Sequence, residues 1–497
     1  MPVGTLRLIV PPTEIPSDVV VQQVYLTGFD GIPAVCRSRM AGEELIVDRD
    51  GTESAKLHIP WRVEGYGRPL LVTGTLQQRD RPYLLPLELA RGKINQTRNQ
   101  LAEWQQMGLE TPDALNVKLA EAVKEFTTAA CGQANRTECY AAAQRALRCC
   151  MAAVEIMASA YCDQALAVRH STTTKLPVAY GTSLGPIAPT GALSNTLAAV
   201  CNTAVVPLLW RDVVSIEDEY RWSPFQEQLD WCRSHNVNVT AGPLLRLDDR
   251  GLPPWLALWH SDAAGVLSFT AEYVARVVQK FRGRVSFWHA ASYSHRSETL
   301  GLKDEDKLRA VIRAVESVRR HDADTPLIVS FDQPWGEYLR KTAVGYAPFH
   351  VADHFVRSGL PLAALGLEID VGYSPEGSYH RDPIELSRLI DGWSILGLPL
   401  YVFLTVPSGV GPDASASARS QPIADVWPGG WSPEAQAAWV RQFMPMLLSK
   451  PSVQGIAWQQ LHDGKPHDLA HGGLLDAGGA AKPAMQALAQ MRREHLI

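Results

Sequence analysis

From residue 175 to its end, the chain repeats one unit eight times: a short, mostly apolar run followed by a segment with helical periodicity. The runs are PVAYGTSL, AVVPLLWRDV, VNVTAGPLL, RVSFWHAAS, PLIVSFD, ALGLEIDVGY, PLYVFLTVP and VQGIAWQQL. Short buried strands that alternate with helices describe a parallel sheet covered by helices, and eight such repeats close most economically into a (β/α)8 barrel. The clearest helix is DEDKLRAVIRAVESVRRH, where Leu308, Val311, Ile312, Val315 and Val318 share one face behind Asp304 as its expected N-cap.

Two regions of different pattern precede the barrel. Residues 1–86 alternate short apolar runs with turn signals such as Asp30-Gly31 and Asp50-Gly51, which predicts antiparallel strands in a β-sandwich-like accessory domain. Residues 87–174 change period: Leu115, Leu119, Ala122, Val123 and Phe126 fit one helix face, and Leu147, Cys150, Met151, Val154, Met157 and Tyr161 another. Two or three long helices in a hairpin are expected there. The reading is therefore α/β, a TIM barrel over 175–497 behind a sandwich and a helical insert. A chain of 497 residues, 46% hydrophobic, is large enough to bury that much core.

Charge narrows the partners. A net charge of −5, a pI near 6.3 and no Lys/Arg-rich run leave no concentrated positive field for nucleic acid or an anionic membrane. The opening MPVGTLRLIVPPTEIP matches neither a secretory signal nor a spanning helix, so the expected location is cytoplasmic. The eight cysteines lack metal-ligand spacing and are read as buried free thiols. Asp248-Asp249, and His462-Asp463 with His467 and Asp468, are acid and His groupings common on polar loops, so neither a metal nor another cofactor is expected. The Ala, Met and Cys-rich helix faces suit either a homo-oligomer contact or packing on the chain's own barrel.

In a barrel of this type the site lies at the C-terminal strand ends. Polar residues gather there: Asp212, Glu217 and Glu219 after the second strand, Asp248 and Asp249 after the third, His289 in the fourth and Asp332 ending the fifth. The sixth carries Glu368 and Asp370, and Gln459, Gln460, His462 and Asp463 follow the eighth. Within GLEIDVGY, alternation puts Leu367, Ile369 and Val371 on one face and the two acids on the other. Carboxylates in a barrel interior need cationic partners, for which Arg381 and His380 are candidates, or a functional cavity.

Three passages together resemble the family-10 glycoside hydrolases, the xylanase family, over roughly residues 177 to 495. Glu217-Asp-Glu-Tyr-Arg-Trp222 is similar to the family's Glu-Asn-Glu-Met-Lys-Trp. VARVVQKFRGRVSFWHAASY is similar to the helix, Gly and strand that lead to Trp-Asp-Val-Val-Asn-Glu, and VQGIAWQQLHDGKPHDLAHGGLLDAGGAAKPAMQAL to the last strand, a Gly-Leu-Leu-Asp turn and the final helix. The resemblance implies a carbohydrate ligand and assigns sugar binding to Glu217, Asp218, Arg221 and Trp222. It also exposes a departure. Tyr293 stands at the family's acid/base position with Ser292 before it, Leu404 or a neighbour stands at the nucleophile, and no carboxylate occurs from Pro399 to Val410. The family's third-strand Gly-His and Trp-His pairs are missing from AGPLLRLDD as well.

The expectation is thus a divergent glycoside hydrolase acting on an oligo- or polysaccharide with relocated carboxylates, Glu368 and Asp332 first and Asp370 next. The rival is a carbohydrate-binding or scaffolding pseudoenzyme. His289, Tyr293, Trp335, Gln460 and His462 complete the expected sugar contacts, Trp222 and Trp335 as flat platforms, while Trp288 and Trp458 are read as core. The long, Gly- and Pro-rich segment from Ser408 to Trp431 is a candidate lid.

Overall fold

Eight parallel strands in the computed structural model, which describes residues 3–293, 299–341, 345–417 and 420–497, fall on the eight apolar runs. They are β1 (Ala179–Thr182), β2 (Thr203–Val206), β3 (Asn238–Ala241), β4 (Phe287–Ser292), β5 (Leu327–Asp332), β6 (Ala364–Asp370), β7 (Leu400–Thr405) and β8 (Val453–Trp458). They pair in the order β2-β3-β4-β5-β6-β7-β8-β1. A parallel bridge between Ser183 and Val205 returns β1 to β2, so the sheet closes as a (β/α)8 barrel.

Strand parity sorts the side chains. Leu365, Leu367, Ile369, Val402 and Leu404 join the layer between sheet and helices, whereas Val205, Ile328, Ala364, Tyr401, Phe403 and Ala457 form a separate cluster inside the barrel. The Tyr401 hydroxyl crosses that interior to Thr240, 3.1 Å away on β3. Leu404 therefore faces the helices, and the residues that β7 turns inward are Phe403 and Thr405. Gly366 shares the inward face of β6, and a Cβ there would lie 2.5 Å from Cβ of Ser330 and 3.1 Å from the Phe403 ring. Gly366→Ala is expected to cost about 1–3 kcal/mol through overpacking, read as a lower urea midpoint.

The helix expected over DEDKLRAVIRAVESVRRH runs Asp304–His321, but its N-cap is Lys303. Asp304, Glu305 and Asp306 instead occupy the first turn, where carboxylates complement the helix dipole. Trp288 and Trp458 are buried core residues. No helix among the described residues is long and apolar enough to cross a membrane.

Before the barrel stand two four-stranded sheets. One orders the strands Cys36–Ala41, Glu44–Asp50, Val3–Ile9 and Tyr83–Leu84, the other Pro33–Ala34, Tyr25–Thr27, Lys56–Pro60 and Leu70–Val72. Leu6, Leu8, Leu45 and Val47 of the first share one apolar core with Leu26, Leu57, Ile59 and Leu71 of the second. Three helices follow: α1 (Leu85–Gln106), α2 (Asp113–Cys131) and α3 (Arg136–Thr172). Leu101, Trp104, Val154 and Met157 from α1 and α3 pack against Ile384 and Met446 of two barrel helices. The eight cysteines are unpaired, and Cys139, Cys150, Cys162, Cys201 and Cys232 are buried.

The segment after β6 joins these parts through buried charge. Lys93 of α1 lies 2.6 Å from Asp382, and Arg381 lies 2.8 Å from Glu337 and 3.0 Å from the Tyr25 hydroxyl. Main chain continues the contact, with Leu70 N–H donating to the His380 carbonyl at 2.8 Å. Arg381 and His380 are thus engaged away from Glu368 and Asp370, which are held by other groups.

Candidate active site

The C-terminal ends of the strands open into a cavity of about 570 Å³, within the range that small-molecule sites occupy. Its floor is made by inward-facing residues of β4, β6 and β7: His289, Glu368, Asp370, Phe403 and Thr405. Pro186, Ile187, Pro207, Leu209, Pro224 and Phe225 supply an apolar side, and Gln459, Gln460, His462 and the 465–469 segment a polar one.

Glu368 and Asp370 are 5% and 4% exposed. Burial, then the neighbouring Asp332 charge, pushes the Glu368 carboxyl up to about 8, against its hydrogen bond from Ser330 and the pull of Arg246. Asp332 sits directly opposite Glu368 in the β5–β6 register, so two acids occupy adjacent strands at one level. Neighbouring strands lie about 4.8 Å apart, close enough for one charge to oppose the other. Asp370 is pushed up to about 7, chiefly by burial, with Thr405 and Arg246 pulling down. Gln459 Nε2 donates to Asp370 Oδ1 at 2.8 Å.

A second cluster walls the cavity. Arg246 Nε donates to both Asp248 oxygens at 3.0 Å, and its Nη1 to Asp468 at 2.7 Å. Arg250 bridges Glu376 at 2.8 Å and Asp468 at 3.2 Å. Burial raises the Asp468 carboxyl, but the two guanidiniums outweigh it and hold the group below the usual carboxylate range. The Arg246 guanidinium also lies 4.3 Å from the Tyr293 ring centroid. Tyr293 has φ 55°, a left-handed conformation that is unusual for a bulky residue. Burial drives its phenol well above 10, which removes it as an acid at neutral pH.

The expected site residues divide in two. Glu368, Asp370, Arg221, His289, Tyr293, Gln460 and His462 line the cavity. Asp332, 1% exposed, lies beside Glu368 but outside the cavity lining. Glu217 and Asp218 are on an exposed loop, also outside it. Trp222 packs on Tyr220 and Phe281, and Trp335 carries the Arg381 guanidinium 4.1 Å above its ring, so neither flat face is offered to the cavity. No described residue of 408–431 lines it either. That segment, of which 418–419 lie outside the described residues, is stitched to the loop after β8 by Ser408 N–H to the His471 carbonyl at 2.9 Å and by Asp413 to His467 at 3.0 Å.

Asp413, Asp463 and His467 approach one another closely enough to suggest a metal set. Their atoms are already committed among themselves and to neighbours: Asp463 takes the Lys482 ammonium and the Gly473 N–H, and His467 Nδ1 meets the Lys465 carbonyl at 2.6 Å. A dication beside that ammonium would be repelled.

Sequence reasoning passed over Ser330, Arg246 and Thr405, and placed Gln459 only among the polar residues that follow the eighth strand. Ser330 had a signal, since it precedes Asp332 by two and so shares its inward face. Arg246 has a local partner in Asp248, but its second, Asp468, is distant in sequence and gave no signal.

No protein-family model matches the chain. No curated protein matches it either. Solved structures similar in fold include xylanase 10B from Thermotoga maritima, 14% identical, covering 65% of this chain and 98% of that one, with a TM-score of 0.48. Xylanase 10B from Thermotoga petrophila in complex with xylobiose is 15% identical over 66% of this chain and 96% of that one, TM-score 0.47. A GH10 protein from Paenibacillus barcinonensis is 15% identical over 65% and 96%, TM-score 0.47.

Proposed function

We propose that the barrel hydrolyses an O-glycosidic bond in an oligo- or polysaccharide, with Glu368 as general acid and Asp370 as the second carboxylate. One observation carries the reading: two buried carboxyls on one strand face the same open cavity, and both are held near neutrality. Glycoside hydrolysis needs one carboxyl protonated and one ionised at the working pH. Burial raises both carboxyls, and Asp332, directly opposite Glu368 in the register, opposes the ionisation of Glu368 more than that of Asp370, so the retained proton is assigned to Glu368. Asp332 is then the neighbouring charge that keeps Glu368 protonated, in place of a direct catalytic role.

In the proposed step, Glu368 transfers its proton to the leaving oxygen as the bond from the anomeric carbon breaks. Water adds to that carbon and yields a proton to Asp370, and exchange with solvent resets both groups.

A non-catalytic carbohydrate binder is the second reading. It is favoured by Tyr293 at the fourth strand end and by Phe403 and Thr405 as the inward residues of β7, none of them a carboxylate. The deciding experiment is reducing-sugar release from xylans, glucans and mannans, with binding of the corresponding oligosaccharides by calorimetry. Release that Asp370→Asn and Glu368→Gln abolish while binding persists supports the hydrolase. Binding without release by the native chain establishes the binder, and the absence of both removes the two readings together. Asp332→Asn is expected to retain activity but lower the pH at which the alkaline limb falls, since the charge that raises Glu368 is gone.

A further inference from the structure

We propose that Ser330 and His289 form a buried relay that holds Oε1 of Glu368 and places the acid proton of this cavity-lining carboxyl on its other oxygen, Oε2. Both are positioning residues for the acid, a role that rests on the hydrolase reading above and moves His289 from sugar contact to support. His289 Nε2 lies 2.7 Å from Ser330 Oγ, and Ser330 in turn is bonded to Glu368 Oε1. All three side chains are buried, and the imidazole is stacked on Phe403 with centroids 5.0 Å apart, so its ring plane is fixed.

Proton counting gives the direction. A hydroxyl has one hydrogen to donate, and a neutral imidazole has one N–H. Burial holds His289 neutral by pushing its imidazolium down to about 3. Among the described residues Nδ1 has no partner at hydrogen-bonding geometry; the Ala291 carbonyl, which favours a proton on the ring, lies close but outside that geometry. A buried N–H without an acceptor is costly, so the single proton belongs on Nε2, where Ser330 Oγ accepts it. Ser330 must then spend its own hydrogen on Oε1 of Glu368. With Oε1 acting as acceptor, a protonated Glu368 carries its hydrogen on Oε2, where a leaving-group oxygen in the cavity would meet it.

Other charges act on the same carboxyl without changing this order. Asp332 faces it from β5, Asp370 from further along β6, Arg246 from the loop after β3 and Tyr293 from the end of β4. Each alters how readily Glu368 ionises, while among the described residues the hydrogen-bond partner of Oε1 is Ser330.

Two measurements test the relay without needing turnover. Long-range 1H–15N spectra of the full chain, with His289 assigned by loss of its signals in His289→Gln, are expected to show the Nε2–H tautomer from pH 5 to 9. The Nδ1–H tautomer, or an imidazolium, overturns the proposal. Carbon-13 titration of Glu368, assigned through Glu368→Gln, is expected to move upward by about one pH unit in Ser330→Ala, since a donor to the ionised carboxylate is lost. Ser330→Thr should restore the native midpoint. An unmoved midpoint in folded Ser330→Ala also overturns it. Where the native chain cuts glycans, the alkaline limb of kcat should follow the same roughly tenfold change in proton affinity. If it cuts none, the hydrolase reading falls, and the tautomer and the titration still decide the relay.

Discussion

Glu368→Gln is expected to lower kcat for glycan hydrolysis by roughly 10²–10⁴-fold, the usual contribution of a positioned general acid, with oligosaccharide affinity nearly unchanged. Gln keeps the shape and can still accept from Ser330, so the loss isolates the proton. The same substitution should stabilise the fold, and the pH dependence gives the sign. Glu368 is held at about 8 in the fold against an ordinary 4.5, so between those values the folded chain binds more protons than the unfolded one. Native stability therefore declines as pH rises from about 4.5 towards 8, and Gln, which has no proton to lose, escapes that decline. Urea unfolding should show little difference between native and Glu368→Gln at pH 4 and an advantage of a few kcal/mol for the variant at pH 8. A variant that is inactive and no more stable at pH 8 would mean that Glu368 is not a strained buried acid.

That combination separates what local pattern reveals from what only the closed barrel reveals. Glu368 and Asp370 were legible because alternation along GLEIDVGY has one solution: apolar residues to the helices, acids inward. The eight strands were legible for the same reason, being short apolar runs punctuated by turn residues. Leu404 was harder, because a chain position matched to a family motif fixes the residue only to within one, and one residue on a strand changes its face. Trp222 and Trp335 misled more thoroughly. A Trp at a strand end reads as a sugar platform, yet Trp222 is covered by Tyr220 two residues before it and Trp335 by Arg381, which is distant in sequence. Arg246 with Asp468 and Ser330 with Glu368 are likewise products of closure, where residues far apart in sequence converge on one cavity.

The largest effect on stability is expected far from the cavity, at Lys93. Its side chain and that of Asp382 are each 2% exposed and 2.6 Å apart, with Lys93 also donating to Gln96 at 2.7 Å. Asp382 uses its other oxygen to cap the helix Pro383–Ser394 through Ile384 N–H at 3.0 Å. Removing the ammonium leaves a buried carboxylate with only that cap, and breaking such a pair costs about 3–5 kcal/mol. Lys93→Met, which keeps the apolar stem, should show this loss as a lower urea midpoint, and adding Asp382→Asn should recover part of it because the stranded charge is neutralised while an acceptor for the cap remains. The consequence for the site is indirect. Asp382 ends the segment that begins beside Asp370, whose carbonyl accepts from Ser378 N–H at 2.8 Å, and that segment also carries Arg381, bound to Glu337 and Tyr25. Helix α1 and the first sheets therefore brace the strand that holds both acids. Lys93→Met should leave kcat near native at low temperature and lose activity at a lower temperature than the native chain, as expected of a brace. A loss below about 1 kcal/mol would instead show that the barrel holds β6 without help from α1, in contrast to the cost usual for a broken buried pair.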